Sequence, residues 1–165
     1  MGINFNADEI LEMAIRIETN GRSFYLRAAE LQSDKKNIRF FNKLAAMEEQ
    51  HKKAFERFYE ELSSDEKGGQ VYDPDGQASM YLAVMADTHG GEGDPQVANA
   101  LTGEESLENI LKTAINLEKQ SILFYIGLKD LVPKKHGKEK VDAIIDEEKQ
   151  HIVQLSEVLR GNLTP

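Results

Sequence analysis

Apolar residues recur three and four apart along four long stretches of the chain, the spacing that keeps one face of an α-helix turned toward its neighbours. The first stretch places Ile10, Ala14, Ile17, Phe24, Ala28 and Leu31 on such a seam, with Gly21 completing it, and the second places Phe41, Leu44, Phe55, Phe58 and Leu62. The third carries Ile110, Ala114, Leu117, Phe124, Leu128 and Leu131, and the fourth Val141, Ile144, Leu155 and Val158. The pattern predicts helices over about 7–32, 37–63, 103–132 and 136–160. Asn6-Ala7-Asp8-Glu9 and Thr102-Gly103-Glu104-Glu105 read as capping boxes opening the first and third. Ser33-Asp34-Lys35-Lys36-Asn37 interrupts the first pair, and Pro133 and Gly137 bracket the break in the second. Breaks this short predict two antiparallel hairpins. Residues 64–102, with Gly68-Gly69, Asp73-Pro74-Asp75-Gly76 and Gly90-Gly91-Glu92-Gly93-Asp94-Pro95, read as a connection. Within it Gln77 to Asp87, containing Met80, Tyr81, Leu82, Val84 and Met85, is expected to form a short amphipathic helix on the outside of the bundle.

The third stretch is the first moved by one hundred residues: Ile10/Ile110, Leu11/Leu111, Ala14/Ala114, Ile15/Ile115, Glu18/Glu118, Phe24/Phe124, Tyr25/Tyr125 and Leu31/Leu131 are identities. Two copies of one hairpin make an all-α four-helix bundle. A helix of about 26 residues is about 39 Å long. A connection of nearly forty residues can return along that length, so the second and third helices are expected to run parallel, with one long crossover.

The repeat carries chemistry. Glu18 is followed by Glu48-x-x-His51, and Glu118 by Glu148-x-x-His151 at the same interval. Glu48 and His51 fall on the seam between Leu44 and Phe55, and Glu148 and His151 between Ile144 and Leu155. Glu18 aligns with Leu11 and Tyr25, and Glu118 with Leu111 and Tyr125, each seven residues away and hence on one side of the helix. With hairpin turns near 34–35 and 135, all six side chains lie within roughly 5 Å of one level. Four carboxylates in an apolar core without partners would each cost several kcal/mol, together comparable to the stability of a whole domain. Two divalent metals balance four ionised glutamates. A glutamate from each of two helices with Glu-x-x-His from each of the others is the ligand set of di-iron and di-manganese carboxylate bundles. One Glu-x-x-His arises easily by chance on a solvated helix face. Its duplication at matched spacing is specific, and the competing account is a core salt-bridge network.

Composition narrows the classes. At 165 residues a single domain, 1–165, is expected. Apolar residues at 40% and charged residues at 30% describe a soluble globular protein, and no apolar run approaches a membrane span. Met1-Gly2-Ile3-Asn4-Phe5-Asn6 lacks the basic and then apolar order of a secretory signal, so the expected compartment is cytoplasmic. The absence of cysteine excludes disulfides, zinc ribbons, iron–sulfur clusters and thiol catalysis. A net charge of -9 argues against nucleic acid and anionic membrane as partners and favours cations.

Leu11-x2-Ala14-Ile15-x2-Glu18-x5-Phe24-Tyr25, Met47-Glu48-Glu49-Gln50-His51, Leu117-Glu118-x5-Phe124-Tyr125 and Asp146-Glu147-Glu148-Lys149-Gln150-His151 together resemble the rubrerythrin-like branch of the ferritin-like di-iron superfamily. The resemblance covers nearly the whole chain. It implies a ferritin-like bundle and a carboxylate-bridged non-haem di-iron centre that reacts with dioxygen or peroxide, taking electrons from an external donor protein. Two departures accompany it. Full-length rubrerythrins add a four-cysteine, rubredoxin-like iron domain, whereas this chain has no cysteine. They also carry an extra glutamate three residues after the one in the third helix, taking part in a redox-linked ligand change, where this chain has Ser121. Bacterioferritin is a weaker match, since Glu49 stands where its haem-ligating methionine would be.

The expected metal ligands are therefore Glu18, Glu48, His51, Glu118, Glu148 and His151, holding two iron ions, with manganese or zinc as alternatives on ligand chemistry. Tyr25 and Tyr125 stand two turns from Glu18 and Glu118, close enough to hydrogen-bond a ligand or donate an electron; a tyrosine on an apolar stripe also serves as plain core. His89 in the crossover could reach the end of the bundle or stay solvated, and His136 reads as surface. Met80, Tyr81 and Met85 either cover a subunit interface or pack the crossover helix down. The leading expectation is a rubrerythrin-like peroxidase or oxidase reducing hydrogen peroxide or dioxygen. The alternatives are an iron-binding, ferroxidase or storage protein and a structural bundle with a stabilising metal. A homodimer is expected, and the long crossover would permit hairpin swapping.

Overall fold

The computed structural model describes residues 7–61, 75–77, 80–81, 101–131 and 137–163. Four long helices carry the chain: α1 (Ala7–Glu30), α2 (Lys35–Glu61), α3 (Leu107–Leu131) and α4 (Lys138–Leu163), with no strand among the described residues. α1 packs along α2, α3 along α4, and α1 also meets α3. Contacts across the bundle set the directions. Tyr25 bonds Glu118 while Tyr125 bonds Glu18, so α1 and α3 run antiparallel. Lys43 reaches Gln154 (3.2 Å) whereas Lys140 pairs with Glu61 (3.7 Å), so α2 and α4 are antiparallel too. With each hairpin antiparallel, α2 and α3 are parallel, and the segment joining them must traverse the length of the bundle.

The helix ends follow local chemistry. α2 begins at Lys35 because Asp34 is its N-cap: the Asp34 carboxylate accepts from Lys36 N–H (2.7 Å) and its carbonyl from Ile38 N–H (3.0 Å). The last turn of α1 tightens where Gln32 N–H bonds the Ala29 carbonyl (3.1 Å), two residues short of the predicted end. α4 starts at Lys138 after Gly137, whose carbonyl accepts from Val141 N–H (2.8 Å), and it continues to Leu163, beyond the predicted 160.

The predicted start of the third helix at 103 is corrected to Leu107. Gly103 has φ +96°, a left-handed conformation outside any α-helix. Only half of the Thr102–Glu105 box forms: the Glu105 carboxylate accepts from Thr102 N–H (2.9 Å), Thr102 Oγ1–H (2.8 Å) and Gly103 N–H (2.9 Å), while Thr102 Oγ1 accepts from Glu104 N–H (3.3 Å). It shapes a turn ahead of the helix instead of capping it. Ser106 is the true N-cap, its Oγ accepting from Asn109 N–H at 3.2 Å.

The core is divided in two by a polar layer. On one side Ile10, Leu11, Ala14, Phe55, Phe124, Tyr125, Leu128, Val141 and Ile144 form one apolar cluster. On the other Phe24, Tyr25, Ala28, Phe41, Leu44, Ile110, Leu111, Ala114 and Leu155 form the second. The repeat explains this: residues 10–11 and 110–111 occupy opposite plugs, as do 24–25 and 124–125. Of the predicted crossover helix, Gln77, Met80 and Tyr81 are described and helical. Tyr81 donates its hydroxyl to the Leu123 carbonyl (2.6 Å), which ties this segment to the outer face of α3, and Met80 is exposed. Leu82, Val84, Met85, His89, His136, the rest of 62–74, 78–79 and 82–100, and the first capping residue Asn6 lie outside the described residues.

Candidate metal centre

Between the two apolar plugs lie all six residues expected from the repeat, none more than 3% exposed: Glu18, Glu48, His51, Glu118, Glu148 and His151. In each Glu-x-x-His motif the two side chains sit three residues apart on one helix face and reach the same small volume. Two overlapping groups of ligand atoms result, each within 4.8 Å: Glu18, Glu48, His51 and Glu148, and Glu48, Glu118, Glu148 and His151. Glu48 and Glu148 are common to both. Each group thus has one histidine, one glutamate of its own and two shared glutamates, and the imidazole rings lie 5.5 Å apart and nearly parallel (22°).

The shell around these groups crosses between hairpins. Tyr25 of α1 donates its hydroxyl to Glu118 of α3, and Tyr125 of α3 donates to Glu18 of α1. Both tyrosines are fully buried, and each steadies the glutamate of the other repeat. Ser121, also buried, donates to the Leu117 carbonyl (3.2 Å). One residue escaped the sequence reading: Glu147 Oε2 lies 2.8 Å from His51 Nε2, on the ring edge opposite the ligand cluster. Its signal was a mismatch in the repeat, because one hundred residues earlier the chain has Met47.

His151 Nδ1 lies 3.1 Å from Glu48 Oε1, 3.2 Å from Glu118 Oε1 and 2.8 Å from Glu148 Oε2. His51 Nδ1 lies 3.0 Å from Glu148 Oε1 and 3.5 Å from Glu18 Oε2. A single N–H cannot donate well to three oxygens. Although these are ion-pair distances, both Glu148 oxygens, Glu18 Oε2 and Glu118 Oε2 are buried without a hydrogen bond of acceptable geometry among the described residues. Buried acceptors are almost always satisfied, so such a concentration of them points to a cation. Carboxylates and imidazoles converging on two adjoining points fit two divalent ions.

Without metal, protons occupy those points. Burial opposes charge on His51 most strongly, yet its contacts with Glu148 and Glu18 outweigh that and push it up to about 12. Burial likewise opposes charge on His151, and Glu118 and Glu148 outweigh it, lifting it to about 10. Glu118 is raised, by burial first and then by the charge of Glu148. Burial alone would raise Glu148 as well, but its contacts with both histidines overcome this and hold it below the usual carboxylate range. The histidines' contribution to metal-free stability is fully present below their unfolded value of 6.5 and is lost as pH rises through about 10 and about 12. Glu118 acts in the same direction from 4.5 upward, whereas the Glu148 contribution is lost as pH falls below 4.5. Metal binding must release these protons. The melting temperature of metal-free protein is therefore expected to fall between about pH 6.5 and about pH 9 while the increase caused by added Mn²⁺ grows, as scanning calorimetry would show. A metal-induced increase that shrinks over this range would contradict the site.

These features define a class: a ferritin-like helical bundle with a buried carboxylate–histidine cluster of the diiron-carboxylate type. Residues 9–81 match the rubrerythrin family model. Among solved structures it is similar to a protein of Thermotoga maritima described as a ferritin-like diiron-carboxylate protein, with a TM-score of 0.75 and 27% identity, covering 95% of this chain and 96% of that one. No curated protein matches the chain. Among the described residues no helix is long and apolar enough to cross a membrane.

Proposed function

We propose that the protein holds two iron ions in this cluster and is an oxidoreductase that reduces hydrogen peroxide or dioxygen with electrons from an external donor protein. The observation that supports this best is the pair of four-residue groups sharing Glu48 and Glu148, each of which would offer one cation a histidine, a glutamate of its own and the two shared glutamates. Two ferrous ions when bound supply two electrons, the number needed with two protons to convert one hydrogen peroxide to two waters. The glutamates provide negative charge that favours the ferric state, and the histidines orient the cluster. Tyr25 and Tyr125 hold Glu118 and Glu18 in place and carry hydroxyl protons at the edge of the site. The two apolar plugs exclude bulk water from either end. Small, uncharged oxidants suit a site this enclosed.

Anaerobic loading with Fe²⁺ followed by a pulse of hydrogen peroxide should oxidise about two irons per chain within seconds, followed by absorbance in the near ultraviolet. No optical change would defeat the redox reading. Retention of the oxidised iron at two per chain supports an enzyme, whereas continued uptake into a large assembly on sedimentation supports ferroxidase storage. Sedimentation also tests the proposed homodimer.

A further inference from the structure

The six ligands obey the internal repeat, but what stands behind the two histidines does not. His51 presents Nδ1 to Glu18 and Glu148, and its Nε2 meets Glu147 Oε2 at 2.8 Å. Glu147 belongs to α4, one residue before Glu148, and its side chain is half-exposed. His151 likewise presents Nδ1 to Glu48, Glu118 and Glu148. Its Nε2 is buried without a hydrogen-bond partner among the described residues. The position matching Glu147 in the first repeat is Met47, whose thioether is uncharged and at best a weak acceptor. The tyrosine contacts cannot produce this difference, because Tyr25–Glu118 and Tyr125–Glu18 are a symmetric pair.

A carboxylate behind an imidazole has two effects. Accepting the Nε2 proton fixes the tautomer whose Nδ1 lone pair points into the cluster, and its negative charge makes that nitrogen a stronger donor to a cation. His51 has both and His151 has neither. We infer that the two metal positions are unequal: the one formed by Glu18, His51 and the shared glutamates fills first and more tightly than the one formed by Glu118 and His151, with Glu147 as the positioning residue responsible. The inference rests on the two-metal reading above. Outer carboxylates of this kind change metal affinity by about 10–100-fold, which sets the expected gap between the positions.

The test is an anaerobic titration of the metal-free full chain with Co²⁺, followed by its visible absorption, with Mn²⁺ and electron paramagnetic resonance used to count isolated ions. Wild type should take up one ion per chain in a first step at least about tenfold tighter than the second, and one equivalent of Mn²⁺ should give the signal of an isolated ion. Glu147→Gln should weaken the first step by about tenfold or more and leave the second unchanged, drawing the two together. Met47→Glu should tighten the second step. Because Glu147 is half-exposed, Glu147→Gln is expected to fold, and a melting curve of the metal-free variant verifies it. Two equal steps in wild type, or a Glu147→Gln titration identical to wild type, would overturn the inference while leaving the two-metal reading intact. Saturation below two ions per chain would overturn that reading instead.

Discussion

Glu148→Ala is expected to abolish binding of both metal ions at concentrations that saturate wild type, and to destabilise the metal-free protein by about 3–5 kcal/mol. Both effects come from one position. Glu148 belongs to each ligand group, so its loss removes a donor from both ions. In the metal-free state its two oxygens stand 3.0 Å from His51 Nδ1 and 2.8 Å from His151 Nδ1, so the substitution strips two buried imidazoliums of a shared counter-charge. Glu18→Ala is the informative comparison. Glu18 contributes to the His51 group alone, and its loss should reduce the capacity by one ion. Metal analysis after gel filtration, with urea unfolding of the metal-free proteins, would check both. Retention of two ions by Glu148→Ala would show that it does not bridge.

Phe55→Ala is expected to cost about 3–5 kcal/mol, a fall in melting temperature of roughly 6–20 °C, while the capacity for two ions is kept. Phe55 has no exposed surface and packs in one plug against Tyr125, with ring centroids 5.2 Å apart, and against Phe58 at 6.2 Å. Truncation removes the buried ring and leaves a cavity that the two helices beside it can only partly close. The six ligands are untouched. Tyr125 is not, because with one face unsupported its hydroxyl is held less firmly on Glu18. Thermal melts with and without Mn²⁺ separate the two classes of variant: Phe55→Ala should keep its metal-induced increase, whereas Glu148→Ala should lose it. Loss of metal by a folded Phe55→Ala would mean that the plug also shapes the ligand layer.

The six clustered side chains were legible because everything needed to find them is local. Helix period turns three-residue spacing into a shared face, and the hairpin turn places Glu18 level with Glu48 and His51, so spacing alone gathers each half of the cluster. Duplication then removed the ambiguity of a single motif. The third helix was misplaced by four residues for an equally local reason. The Glu105 carboxylate does accept from Thr102 N–H as in a capping box, but Gly103 takes a positive φ and the helix starts only at Leu107. A glycine permits either conformation, so the pattern could not choose between them.

What the chain determines by itself is the set of helices, their buried faces and which carboxylates and imidazoles join the buried cluster, since each depends on residues a few turns apart. What tertiary structure decided is which side chain stands behind which ligand. Tyr25 was expected near the glutamate of its own helix, yet it bonds Glu118, and Tyr125 bonds Glu18. Glu147 likewise belongs to the repeat of His151 but supports His51. Such partners come together only when two hairpins pack across the bundle, where neighbours are fixed by helix direction and crossing geometry, neither of which is written in the spacing along one helix.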